Sequence, residues 1–240
     1  MIANSLERIN PELAGGNEIA GDQTLRLHLE RYHYAGKHLL PGAVADIACG
    51  VGYGSSLLIK EYGDKISNIS AVDNDAASID FAKTKYQHPK ISFIHEDATR
   101  FRAKYALQNV VSLETIEHLP DPVSFIKHIS AQLVSGGRFI TSVPITPSMD
   151  ANPYHLHDFT SSGFRKMFQA QGFKELNSFV QVQKFNPFAL ADKKEERTKD
   201  LRKNIIGYYI KNPYKFFLRL RSVFVDGFSN KYLVAVFEKL

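Results

Sequence analysis

Three glycines at alternate positions, Gly50, Gly52 and Gly54, lie in the stretch DIACGVGYGSS that runs from Asp46 to Ser56. An ordinary turn needs one glycine or two. Three suggest that something large comes close to the main chain there. Asp46 closes the apolar run before the glycines, and Asp73 closes the next apolar run, 23 residues after Gly50. A carboxylate at that spacing can accept hydrogen bonds from both hydroxyls of a ribose. Three histidines, His118, His155 and His157, fall in two later segments, and imidazole is the side chain that exchanges protons most readily near neutral pH. Two other nucleotide signatures fail. A G-x-G-x-x-G fingerprint would need its third glycine where Ser55 stands, and the G-x-x-x-x-G-K-[ST] loop is missing. A G-x-S-x-G elbow cannot be drawn through GYGSS either.

Side chains of these types act only if a scaffold holds them together. From Val44 the chain alternates between apolar runs of strand length and segments of helical period. VADIA (44–48), ISNISAVD (66–73), ISFIHED (91–97), NVVSLET (109–115) and GRFITSVP (137–144) predict five strands, the last following a stop at Gly136-Gly137. GSSLLIKEY (54–62), AASIDFAKTKY (76–86) and DPVSFIKHISAQLV (121–134), with its early proline, predict helices between them. Alternation of this kind means an α/β, doubly wound parallel sheet, with ligands bound beyond the carboxyl ends of its strands at the switch point. That is where the glycines fall. After Pro144 comes a loop rich in Pro, Asn and His (145–160), then a helix (161–172), a strand (173–183) and a terminal strand (230–240).

The run Asp46-Ile47-Ala48-Cys49-Gly50-Val51-Gly52 resembles the first motif of the class I S-adenosylmethionine-dependent methyltransferases, with Ala48 where that family usually has its first glycine. AVDND (71–75), HEDAT (95–99), SLETIEHLPDP (112–122) and LVSGGRFITSVP (133–144) match the next four motifs in order, so the resemblance covers residues 30–145. It implies a Rossmann-like, mostly parallel seven-stranded sheet with an antiparallel last strand and a helical insertion before it. It also implies S-adenosylmethionine as cofactor, leaving as S-adenosylhomocysteine. The cofactor-binding residues it implies are Tyr32, Asp46, Ala48, Gly50, Gly52, Tyr53, Gly54, Asp73, Asn74, Asp97, Ala98 and Glu114. Asp46 would lie near the methionine end and Asp97 beside the adenine amino group. HLERYHYAGKHLLPG (28–42) and NPYHLHDFT (152–160) resemble enzymes of sugar and cell-surface polysaccharide pathways. There an Arg-Tyr pair, here Arg31-Tyr32, covers the cofactor, and a loop histidine faces the acceptor.

Methyl transfer to a hydroxyl needs a base, and His118, His155 and His157 are the candidates. A small-molecule or saccharide acceptor, methylated at oxygen, is the first expectation. A quinone-like or lipidic acceptor and a non-catalytic cofactor-binding partner subunit are the alternatives. No metal is expected, although His155, His157 and Asp158 are ligand types. Each motif also has a plain structural account: glycines make turns, Asp73 and Asp97 can cap helices, and His118 can pack at a helix start.

The whole chain reads as one domain over 1–240: an N-terminal helical cap (1–43), a cofactor-binding core (44–183), a basic and aromatic helical insertion (184–228) and the final strand (229–240). The net charge of +5 is concentrated in the insertion, where 11 Lys or Arg face 5 Asp or Glu between Lys184 and Asp226. Local charge of that kind disfavours a protein that coats nucleic acid. The insertion, expected to be helical over 193–227 with a break at Asn212-Pro213, could lie on a membrane surface through 213–228. It could equally receive phosphates, or pack on the sheet or in a homodimer. One cysteine, Cys49, and no signal-like or membrane-spanning segment point to a cytoplasmic protein.

Overall fold

The structure, a computed structural model, describes residues 10–11, 19–184 and 201–240. Its elements in order are α1 (Ile19–His38), β1 (Gly42–Ile47), α2 (Tyr53–Tyr62), β2 (Ile66–Asp73), α3 (Ala76–Lys85), β3 (Ile91–His95) and β4 (Leu107–Leu113). A 3-10 turn (Ile116–His118) leads to α4 (Pro122–Ser130), β5 (Leu133–Pro144), α5 (Ser161–Gln169), β6 (Phe173–Lys184), α6 (Ile205–Lys211), α7 (Pro213–Asp226) and β7 (Ser229–Lys239).

The strands form one seven-stranded sheet in the order β3-β2-β1-β4-β5-β7-β6. The first five pair in parallel, and β7 runs antiparallel between β5 and β6. The expected Rossmann-like α/β architecture is therefore present. Central strands β1 and β4 each carry five consecutive buried residues, as a sheet covered on both faces requires. Successive side chains on β1 feed opposite cores: Ala45 and Ile47 join the phenylalanine-rich core of Phe125, Phe139 and Phe168, while Val44 packs with Leu58, Ile69 and Ile79. Helices start where short polar side chains can cap them. Asp75 accepts from Ser78 N at α3 and Asp121 from Ser124 N at α4, where Pro122 occupies the first turn.

β1 leads toward β2 and β3 on one side, and β4 toward β5 on the other, so the switch point lies between the carboxyl ends of β1 and β4. The glycine turn after β1 and the ETIEH turn after β4 face each other there. Helix α1 runs against the β6 side, tied by Gln181 Nε2 to Leu27 O (3.1 Å) and Glu30 Oε2 (2.6 Å).

One local expectation is corrected here. Gly136-Gly137 does not stop a helix ahead of β5; α4 already ends at Ser130, and the pair lies inside the strand. Gly136 takes φ 74 and pairing jumps from Leu107↔Leu133 to Asn109↔Arg138, so the glycines form a bulge. Asn212 precedes Pro213 at the start of α7 but does not cap it with its side chain; Asn212 Nδ2 instead donates to Tyr208 O (2.9 Å), closing α6. The helical insertion is described only as α6 and α7, and residues 185–200, like 1–9 and 12–18 of the N-terminal cap, lie outside the described residues.

Candidate functional site

A cleft of about 1590 Å³ opens at the switch point. That exceeds the roughly 300–1,000 Å³ of a typical single-ligand site, so it has room for two reactants. Its floor is built from the strand ends. Gly50, at φ 55, has nothing within 4 Å of where a Cβ would sit, and its amide donates to Asp73 Oδ2 (2.8 Å). Asp73 Oδ1 accepts from Asp75 N (2.9 Å). The carboxylate thus ties two turns together while keeping lone pairs for a ligand's hydroxyls. Two non-glycine residues lining the cleft, Ala48 (φ 61) and Glu114 (φ 52), also adopt the left-handed conformation. Strain of that kind, about 1–2 kcal/mol each, collects where geometry serves a ligand rather than the fold.

Tyr53, Asn74 and Ala98 line the same cleft, as does Asp97. Thr99 donates from its amide and its hydroxyl to Asp97 Oδ1 (2.7 Å each), holding that carboxyl below the usual aspartate range. Glu114 accepts from Ser142 Oγ (2.6 Å) and faces Arg31 Nη1 at 3.5 Å. Arg31 is itself buried: Nε donates to Gln181 Oε1 (2.6 Å) and the guanidinium lies 4.4 Å from the Tyr232 ring centre. The Arg31-Tyr32 pair is thereby set into the wall.

Three expected cofactor residues do not line the cleft. Asp46 is buried behind it, accepting from Ser55 Oγ (2.5 Å) and from Tyr32, whose hydroxyl lies 3.2 and 3.3 Å from its two oxygens. Burial raises the Asp46 carboxyl to about 6, against the opposing pull of those bonds. Gly52 and Gly54 are required by the protein's own packing. A Cβ on Gly52 would sit 2.7 Å from the Phe93 ring, and one on Gly54 would run into the Tyr32 ring. Of the three glycines, only Gly50 leaves its space to a visitor.

Beyond the strand ends, the loop after β5 is laced to the turn after β4. Leu156 N donates to Glu117 O (2.8 Å), His118 Nδ1–H to Tyr154 O (3.2 Å) and His157 Nε2–H to Leu119 O (2.9 Å). His118 and His155 meet edge to face, ring centres 4.6 Å apart, and both line the cleft. His157 does not. Its ring is turned to the Leu119 carbonyl, which corrects its place among the candidate bases. Burial, helped by the neighbouring His118, pushes His155 down to about 3, so it is neutral at physiological pH.

Glu117, fully buried beside this pair, was missed by sequence reasoning; only the tight 3-10 turn brings it inward alongside His118. Ligating atoms of Glu117, His118 and His155 all lie within 4.8 Å of one another. One carboxylate and two imidazoles are a donor set that suits a divalent cation. The set His155, His157, Asp158 is not gathered: Asp158 accepts from Ser148 N, Met149 N and Lys215 Nζ. The far wall comes from α6 and α7. Arg219 grips Asp150 through two bonds, Nε to Oδ2 (2.6 Å) and Nη2 to Oδ1 (2.5 Å), and Tyr209 OH adds a third (2.5 Å).

Residues 45–141 match the family model of the methyltransferase domain. A Mycolicibacterium smegmatis protein named as a probable S-adenosylmethionine-dependent methyltransferase is 26% identical over 138 residues, 55% of this chain and 51% of that one. A ubiquinone biosynthesis O-methyltransferase of Coxiella burnetii is 32% identical over 116 residues, 45% of this chain and 43% of the relative. The chain thus spans about half the length of the curated relatives it matches. Among solved structures, the N-methyltransferase NodS of Bradyrhizobium japonicum, in complex with S-adenosyl-L-homocysteine, superposes with a TM-score of 0.60 at 12% identity, covering 99% of each chain. That likeness is one of fold. Over 45–141 the chain is thus similar in sequence to methyltransferase domains.

Proposed function

We propose that this chain is an S-adenosylmethionine-dependent methyltransferase that carries a methyl group to a hydroxyl oxygen of a small-molecule or saccharide acceptor, with His118 taking the hydroxyl proton. The observation that carries the reading is the cleft at the switch point, where the bare backbone of Gly50 adjoins the Asp73 carboxylate. Asp97 and Glu114 line the same space, and such an acidic lining suits a cationic sulfonium nucleoside. When bound, S-adenosylmethionine supplies a methyl already activated on sulfur. The chain's own residues then have to bind, align and exclude water.

His118 is favoured as base over its neighbour. Its Nδ1–H is held by the Tyr154 carbonyl, which leaves Nε2 as the basic nitrogen. Glu117 Oε1 lies 4.0 Å from that nitrogen and would balance the charge it gains. His155, at about 3, is too weak a base to hold a proton at neutral pH and serves as the edge-on packing partner. Oxygen as the methylated atom is supported by the name of the Coxiella burnetii relative. That name also favours a second reading, a quinone-like acceptor, together with the apolar side chains Ile205, Val223 and Phe228 on the far wall.

The test is turnover on a panel of hydroxylated sugars and phenols, with His118→Gln beside the parent. The variant should lose a factor of about 10² to 10⁴ in rate while titrating S-adenosylhomocysteine as before. Full rate in the variant removes His118 as base. A chelator that stops the parent, with recovery on adding Zn²⁺ or Mn²⁺, would give the proton-transfer role to a metal held by Glu117, His118 and His155. Binding of the cofactor without turnover on any acceptor would leave a non-catalytic partner subunit.

A further inference from the structure

Helix α7 is turned inside out. Its polar residues face the protein: Lys215 Nζ meets Asp158 Oδ2 at 2.6 Å, Arg219 grips Asp150, Ser222 is buried, and Asp226 Oδ1 meets Lys231 Nζ at 2.6 Å. The opposite stripe, at helical spacing, shows Tyr214 (70% exposed), Phe217 (63%), Phe224 (81%) and Val225 (67%) to the outside. On α6, Ile206 and Ile210, one turn apart, are also more than 70% exposed. The ion pairs fix this orientation, because rolling α7 to hide its aromatic rings would strip Asp150 and Asp158 of their partners. Contiguous exposed apolar surface of this kind marks a contact face.

Charge decides what covers it. Residues 201–228 contain six Lys or Arg and a single acid, Asp226, which is held inward by Lys231. Arg221 sits within the outward stripe, Lys203 and Lys211 are exposed beside it, and none of the three takes part in an ion pair among the described residues. A second copy docking on this face would bring these cations against their own counterparts with no carboxylate to meet them. An anionic bilayer surface meets both demands: phosphates for the cations, and the interface for aromatic and aliphatic rims. No described helix is long and apolar enough to cross a membrane, so the pair would lie on the surface.

We propose that α6 and α7 dock the protein on an anionic lipid bilayer. Their inner side chains Tyr209, Arg219 and Val223 form a wall of the cleft, so docking holds that wall at the headgroup layer, where acceptors resident in the membrane would be found.

The experiment is flotation of the full chain with phosphatidylcholine vesicles, with and without phosphatidylglycerol. The parent should float with the anionic vesicles only, and progressively less as salt is raised. Phe224→Ser and Arg221→Glu change outward side chains, so unfolding temperature should stay at the parent value while vesicle partitioning falls about tenfold. Partitioning that ignores phosphatidylglycerol, or that both variants retain, overturns the proposal. So does a dimer, seen by light scattering, that Phe224→Ser dissolves while the parent fails to float. Failure to float with intact methyl transfer would sink the docking without touching the enzymatic reading.

Discussion

At position 50 the backbone is left-handed and the space above it is open, whereas at position 54 the space is filled by the Tyr32 ring. One residue type thus serves two demands a few residues apart, and the same substitution separates them. Gly50→Ala should cost about 1–2 kcal/mol for the positive φ, and it should weaken S-adenosylhomocysteine binding well beyond that loss, since the new methyl enters the cleft. Gly54→Ala should act chiefly through stability, about 1–3 kcal/mol of overpacking against Tyr32, with a smaller loss of affinity than Gly50→Ala, passed on through the Tyr32 ring in the cleft wall. Thermal unfolding beside calorimetric titration reads both; equal affinity loss in the two variants would contradict the division. A linear spelling does not carry this distinction. Asp73, Asp97 and Glu114 were legible because each lies at or just past the carboxyl end of a strand, and strand ends in a doubly wound sheet point at one crevice. Gly52, Gly54 and Asp46 were legible as part of the motif but not as packing residues, because what excludes a Cβ or buries a carboxylate comes from Phe93, Ala82 and Tyr32, remote in sequence. Among the histidines, His155 and His157 could not be told apart locally, because their partners, the His118 ring and the Leu119 carbonyl respectively, belong to another segment.

Where β1, α1 and α2 meet, Asp46 takes a bond from Tyr32 of α1 and another from Ser55 of α2, so one carboxylate pins two helices to the central strand. Because burial lifts its folded pKa to about 6 from an ordinary value near 4, the folded state binds the proton more tightly than the unfolded chain. Protonation therefore favours folding. The stabilisation is full below pH 4 and is lost as pH rises through 6, leaving a cost of about 3 kcal/mol at neutral pH. Asp46→Asn, which keeps the shape without the charge, should be more stable than the parent at pH 8 by up to that amount and lose the advantage near pH 4. Urea denaturation at the two pH values tests it, and a gap that stays constant would show that Asp46 carries no such penalty. The elements themselves were largely readable: β2 occupies 66–73 as its apolar run predicts, and α3 and β6 agree to within a residue. The bulge at Gly136-Gly137 was not, because glycines after a helical pattern signal a stop locally. Only pairing with β4 reveals that the strand had already begun at Leu133.

Across the whole molecule, the insertion and the histidine pair are joined by a continuous polar line. Lys215 of α7 binds Asp158 (2.6 Å), Asp158 accepts from Ser148 N (2.8 Å), Ser148 Oγ lies 2.7 Å from His155 Nδ1, and His155 stacks edge-on against His118. Burial alone would raise the Asp158 carboxyl, but Lys215 and the two backbone amides hold it below its ordinary range, so the line is charged at neutral pH. A helix whose outer face meets its surroundings is thereby wired to the corner that would handle the acceptor's proton. If this line positions His155, and through it His118, then Lys215→Met should slow methyl transfer about tenfold or more without changing affinity for S-adenosylhomocysteine, because the Gly50 and Asp73 side of the cleft has no part in it. A loss of fold would instead lower both. The sharper reading is a double-mutant cycle. Lys215→Met added to His118→Gln should reduce the rate little further, since a misplaced base and a missing one disable the same step. Two losses that multiply in full would mean that α7 influences turnover by a route that does not pass through the histidines.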